Sequence, residues 1–150
     1  MGPLSDSDST YDFGEDFQRK VLRVALECDL RLHAPGAFRS DFFRASDTIR
    51  TPRQILARLI EQWQTGAQLG ESPGVISIHE LLQAGIATNR IVPAEVVAVQ
   101  QEWKLICETA VPDAGFVLFR MRQWAQDAAL RHAILLSAKQ IDESARFGGQ

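Results

Sequence analysis

Apolar residues recur along this chain at helical rather than strand spacing. Phe17, Val21, Val24, Ala25, Cys28 and Leu32 fall at i, i+4, i+7, i+8, i+11 and i+15, which is one face of a helix. Leu22, Leu26 and Leu30 widen that face, so the pattern predicts a well-buried helix over 15–32, ended by Pro35-Gly36. Thr51-Pro52 has the form of a helix start, with a hydroxyl N-cap and proline at the first helical position. Ile55, Leu56, Leu59, Ile60 and Trp63 then mark a helix over 52–65, with Gly66 placed for a left-handed cap. After a loop over 66–74, Ser77-x-x-Glu80 reads as a capping box. It predicts a short helix over 78–84, carrying Ile78, Leu81 and Leu82 and closed by Gly85. Pro93 opens another helix, with Val96, Val99, Trp103, Ile106 and Cys107 at helical spacing, which stops before Val111-Pro112.

Asp113 caps the longest segment, from Ala114 to Arg146, with no proline and no glycine after Gly115. Val117, Met121, Trp124, Ala128, Leu135 and Ala138 form one stripe on it; Leu130, Ile134 and Ile141 form a second, adjacent one. A helix of roughly 30 residues is about 45 Å long, against a radius of gyration of about 15 Å for a domain of this size. Its far half is expected to project from the body. The fold class is therefore all-α: a compact bundle of about six helices with a long, partly projecting C-terminal helix, spanning 15–147 between a polar leader (1–14) and a short tail (148–150).

Composition changes this picture little. The 150 residues are 45% hydrophobic and 23% charged, with 16 Lys plus Arg against 19 Asp plus Glu and a net charge of −3. Such a chain builds a core without staples. It lacks the basic excess typical of a protein that lives on phosphate backbones, and weak or no direct nucleic-acid binding is expected. One local exception stands out. Arg39, Arg44, Arg50, Arg53 and Arg58 share a stretch whose only acids are Asp41 and Asp47; it reads as solvated surface, or as a basic face for an acidic partner or nucleic acid. No apolar run approaches the ~18 residues of a membrane span, and the leader lacks the layout of a signal peptide. The expected location is cytoplasmic, without membrane contact.

Candidate chemistry is sparse. No phosphate loop, G-x-G-x-x-G or H-E-x-x-H is present, nor a glycine-flanked nucleophile elbow. His33, His79, His132, Cys28 and Cys107 are scattered singly, without metal-ligand spacing, and the two cysteines read as buried reduced thiols. No catalytic residue, metal or cofactor is expected. Trp63, Trp103 and Trp124 lie on apolar helical faces and read as core, whereas in an adjacent pair such as Phe42-Phe43 one ring often points outward.

The order of the pieces carries a resemblance. An Asp41-Phe42-Phe43 stretch follows the first helix, and Leu59-Ile60-Glu61-Gln62-Trp63-Gln64-Thr65-Gly66 ends the next. Val75 to Gly85 forms a short capped segment, and Val111-Pro112-Asp113-Ala114 opens a long Arg- and Ala-rich helix. Over about residues 15–147 this resembles the N-terminal domain of DnaB-type replicative helicases, in particular their divergent phage versions. The chain stops at Phe147-Gly148-Gly149-Gln150, before the family's linker helix and ATPase domain. The resemblance implies a non-catalytic module that pairs with itself as a dimer or higher oligomer and offers a docking place to primase or a helicase loader. It places the dimer contacts along the long helix, nearest to Trp124, Ala128, Leu130, Arg131, Ile134, Leu135 and Ile141. Two other readings compete: the helicase-binding C-terminal domain of a primase, and a small nucleic-acid-binding domain using the arginines from Arg39 to Arg58.

Overall fold

The computed structural model describes residues 14–45 and 50–148, with side chains to residue 145. The predicted leader, apart from Gly14, and residues 149–150 lie outside it. The described residues form six α-helices and one 3-10 turn, with no strand: α1 (Glu15–Glu27), α2 (Leu30–His33), the turn Ser40–Phe43, α3 (Pro52–Thr65), α4 (Gly74–Ala87), α5 (Pro93–Glu108) and α6 (Ala114–Gly148). The expected all-α bundle with a long C-terminal helix is what the structure has.

α3 is the hub, touching the 3-10 turn, α1, α4 and α5, while α1 also carries α6. The start of α3 explains its position. Thr51 caps it by accepting the Gln54 N–H at 3.1 Å, and the same hydroxyl donates to the Phe43 carbonyl at 2.5 Å. One side chain therefore satisfies an orphan helix donor and ties α3 to the turn that buries Phe43. Between the helices lie Val21, Leu22, Leu26, Leu56, Ile60, Ile78, Leu82, Ile106 and Met121, all essentially sealed from water.

Three sequence expectations are corrected. The helix predicted over 15–32 breaks at Cys28-Asp29. Asp29 leaves helical geometry, accepts the Arg31 N–H at 3.0 Å to start α2, and accepts the Gly70 N–H at 2.6 Å. Arg31 donates to the same carboxylate at 2.8 and 3.1 Å and to the carbonyls of Gln64, Ala67 and Gln68. The pair thus clamps the 66–70 loop onto the end of α1, and Leu32, expected in the core, faces solvent. The helix predicted over 78–84 is twice as long, beginning at Gly74 rather than at a Ser77 cap and passing through Gly85. Gly85 serves packing rather than termination: a Cβ there would sit 3.2 Å from Ile91 Cδ1, and its carbonyl accepts the Ile91 N–H at 3.1 Å. Gly66 ends α3 without a left-handed conformation (φ −101°), its N–H closing a tighter turn onto the Trp63 carbonyl at 3.2 Å.

A buried ion cluster joins three helices. Glu102 of α5, 5% exposed, accepts from Arg19 of α1 at 2.5 and 3.2 Å and from Arg53 of α3 at 3.1 Å. Arg53 also donates to Gln18 Oε1 at 2.9 Å. The Glu102 hydrogen bond raises the Arg19 pKa above its ordinary value despite partial burial. Removing one partner from such a cluster strands the remaining charges. Glu102→Gln is therefore expected to cost about 3 kcal/mol of unfolding free energy, measured by urea denaturation; a change near zero would contradict the cluster.

The Asp29 clamp has a pH signature. Hydrogen bonds from Arg31, then from the Gly70 and Arg31 backbone amides, hold its pKa down at about 2 although burial acts to raise it. Since the folded-state value lies below the unfolded one, the stabilisation is complete above about pH 4 and is lost as pH falls toward 2. The expected size is about 2 kcal/mol. Denaturation curves at stepped pH are expected to show this loss in the wild type and a flatter acid limb in Asp29→Asn.

Candidate protein-interaction surface

α6 is built to do two things along one length. Asp113 starts it, accepting the Phe116 N–H at 3.1 Å through its side chain and the Val117 N–H at 3.3 Å through its carbonyl. Over the first turns Val117, Met121, Trp124 and Ala125 are buried against the body. Trp124 meets three rings edge-on, with centroids at 4.8 Å to Phe43, 5.7 Å to Phe42 and 6.0 Å to Phe17. Each such pair contributes about 0.5–1.5 kcal/mol beyond area burial. Arg122 adds a hydrogen bond to the His33 carbonyl at 2.6 Å. Past this anchorage burial stops: every residue from Ala129 to Ala145 is exposed.

The residues nominated from sequence divide accordingly. Trp124 belongs to the chain's own core, at 2% exposure, and is unavailable as a contact; its indole is consumed by the phenylalanine cluster. Ala128 is half-buried, and with Arg131 and Leu135 it lines a groove of about 530 Å³ shared with Arg39, Phe42 and Arg44. Arg131 pairs with Asp127 at 2.8 Å on the surface, an interaction worth a few tenths of a kcal/mol. Leu130, Ile134 and Ile141 are exposed at 60, 57 and 69%.

Two aromatic residues join that last group. Phe116 and Phe119, at the start of α6, are 46 and 54% exposed. Phe116, Phe119, Gln123, Gln126, Leu130, Ile134, Ser137 and Ile141 recur at intervals of three and four residues, and all eight are exposed. At ~100° per residue they fall within roughly 80° of arc, on the side of α6 turned away from the body. This seam runs along most of the helix, and none of its eight positions is itself charged, although Arg120 reaches onto it, 5.3 Å over the Phe116 ring and donating to Gln123 at 2.9 Å. The 3–4 spacing was the available signal in the sequence, but Phe116 and Phe119 sit beside the core positions Val117 and Met121, and spacing alone does not separate the two faces.

The five sequence-nominated arginines do not form one face. Arg53 is 11% exposed at its side chain and committed to the Glu102 cluster, so it is corrected from basic surface to buried ion partner. Arg39 and Arg44 both reach Asp41 at 3.5 Å, and Arg39 lies 5.6 Å over the Phe42 ring, beside α6. Arg50 and Arg58 lie instead on the α3–α4 side, around a second cleft.

Other chemistry is quiet. Burial pushes the Cys28 and Cys107 thiols above their ordinary pKa, which lowers the reactive thiolate fraction. His79 accepts the Trp103 indole N–H at 3.2 Å and stacks on that ring. Among the described residues no group of three His, Cys, Asp or Glu side chains is placed to hold a metal, and no helix is long and apolar enough to cross a membrane. Comparison with protein-family models, curated proteins and solved structures finds no match to the chain.

Because Trp124 alone gathers three rings, Trp124→Ala is expected to cost about 3–5 kcal/mol in chemical denaturation. A loss below ~1 kcal/mol would mean that α6 is not anchored there.

Proposed function

We propose that this chain is a non-catalytic association module that pairs with a second copy through the α6 seam and offers its body to protein partners. The single observation carrying this reading is the exposed, largely apolar seam from Phe116 to Ile141. Burying what remains exposed of each of its five large apolar side chains contributes about 1 kcal/mol. In a two-fold arrangement the same seam supplies both halves of the contact, doubling that contribution. From Gln126 to Ile141 the seam positions are uncharged, so that stretch brings no like charges face to face on self-pairing. Three- and four-residue spacing suits one helix packed along another.

The reading accords with the resemblance to the N-terminal domain of DnaB-type replicative helicases, in which primase or a helicase loader would be the further partner. The nucleic-acid reading gains nothing, because Arg53 is neutralised by Glu102 and Arg50 by Glu95 at 3.2 Å.

Light scattering over a concentration series tests the proposal. The wild type is expected to show a dimer or larger species, and the double variant Leu130→Asp, Ile134→Asp a monomer with unchanged helix content. A wild type that stays monomeric throughout, or a double variant of unchanged mass, rejects pairing through the seam.

A further inference from the structure

The cleft on the opposite side of α3 has a different character. It lies between α3, α4 and the turn 88–92, holds about 480 Å³, and is rimmed by Arg50, Arg58 and Arg90 over a floor that includes Leu59, Leu81 and Ile91. Sequence adjacency did not assemble it, since Arg90 arrives from a distant turn. That turn is fixed locally: Asn89 takes a left-handed conformation (φ 60°), which asparagine tolerates better than most residues, and the Ile91 N–H closes onto the Gly85 carbonyl. Arg50 is held in place by the Arg90 carbonyl at 3.3 Å and Glu95 at 3.2 Å. Among the described residues, Arg58 and Arg90 are exposed and make no ion pair, and no carboxylate lines the cleft. A chain of net charge −3 thus sets Arg58 and Arg90 over one apolar floor, beside an Arg50 already paired with Glu95.

We infer that this cleft binds an acidic peptide segment of a partner protein, with an apolar side chain seated on the floor and carboxylates on Arg58 and Arg90. Guanidinium groups hold carboxylates through paired, charge-assisted hydrogen bonds, and the volume lies within the ~300–1,000 Å³ range of small ligand sites. The floor selects the class of partner. Single-stranded nucleic acid is held by aromatic stacking along a cationic track, whereas the residues lining this cleft are aliphatic and polar and include no aromatic ring. Its position on α3 and α4 leaves the α6 seam free, so the two surfaces act independently.

Fluorescence anisotropy with the full chain tests it, using labelled eight-residue peptides that combine four aspartates with leucine and phenylalanine placed before, within or after the acidic run. At least one is expected to bind saturably. Replacing its aspartates with asparagine, or its two apolar residues with serine, is expected to weaken binding at least tenfold. Arg58→Glu with Arg90→Glu is expected to do the same while leaving the thermal melt unchanged, both side chains being exposed. No saturable binding across the panel, binding indifferent to the double variant, or an oligothymidylate that binds more tightly than every peptide overturns the inference.

Discussion

The indole of Trp124, enclosed by Phe17, Phe42 and Phe43, is where this structure is decided. A helix of 35 residues cannot be buried along its whole length by a bundle whose other helices have at most 16. It needs one strong attachment, and the aromatic cluster supplies it by drawing rings from α1, the 3-10 turn and α6 to one point. The inner face of α6 up to Ala125 is core, and the residues from Ala129 to Ala145 are exposed. The seam on the outer face exists because that division holds.

The body that receives Trp124 is positioned by polar contacts as much as by apolar ones. Glu102 sets α1, α3 and α5 at fixed separations, because two guanidinium groups must reach one carboxylate. Asp29 does the equivalent at the other end of α1, converting a helix end into a clamp on the following loop. Neither adds stability cheaply, since buried charges lose hydration. Each also restricts how its elements meet, since Glu102 must reach two guanidinium groups and Asp29 both a guanidinium and a loop amide.

The sequence spoke clearly where a local rule governs the backbone. Thr51-Pro52, Pro93 and Asp113 each open a helix where capping and proline chemistry say they should, and Phe43 turns inward while Phe42 is half-exposed. It was misleading where a long-range partner overrides local preference. Apolar spacing carries straight through Asp29, yet the loop amide of Gly70 and the Arg31 guanidinium draw that residue out of the helix. Gly85 looks like a stop signal and is instead the space that Ile91 needs. The surfaces were legible in part. Leu130, Ile134 and Ile141 lie on the free face, whereas Phe116 and Phe119 alternate with core residues and are separable only once the body is in place. The arginine stretch was least legible, because proximity along the chain says nothing of which carboxylate each guanidinium meets.

Anchored near one end and free at the other, α6 is a lever with its fulcrum at Trp124. The arm from Trp124 to Ala145 is roughly 30 Å long at 1.5 Å per residue, so a tilt of about 10° displaces its tip by roughly 5 Å. The anchored stretch from Val117 to Ala125 spans only about 12 Å, so a displacement at the aromatic cluster grows about two- to threefold at the tip. The 3-10 turn that carries Phe42 and Phe43 also borders the groove beside Arg131 and Leu135, so groove and fulcrum share Phe42.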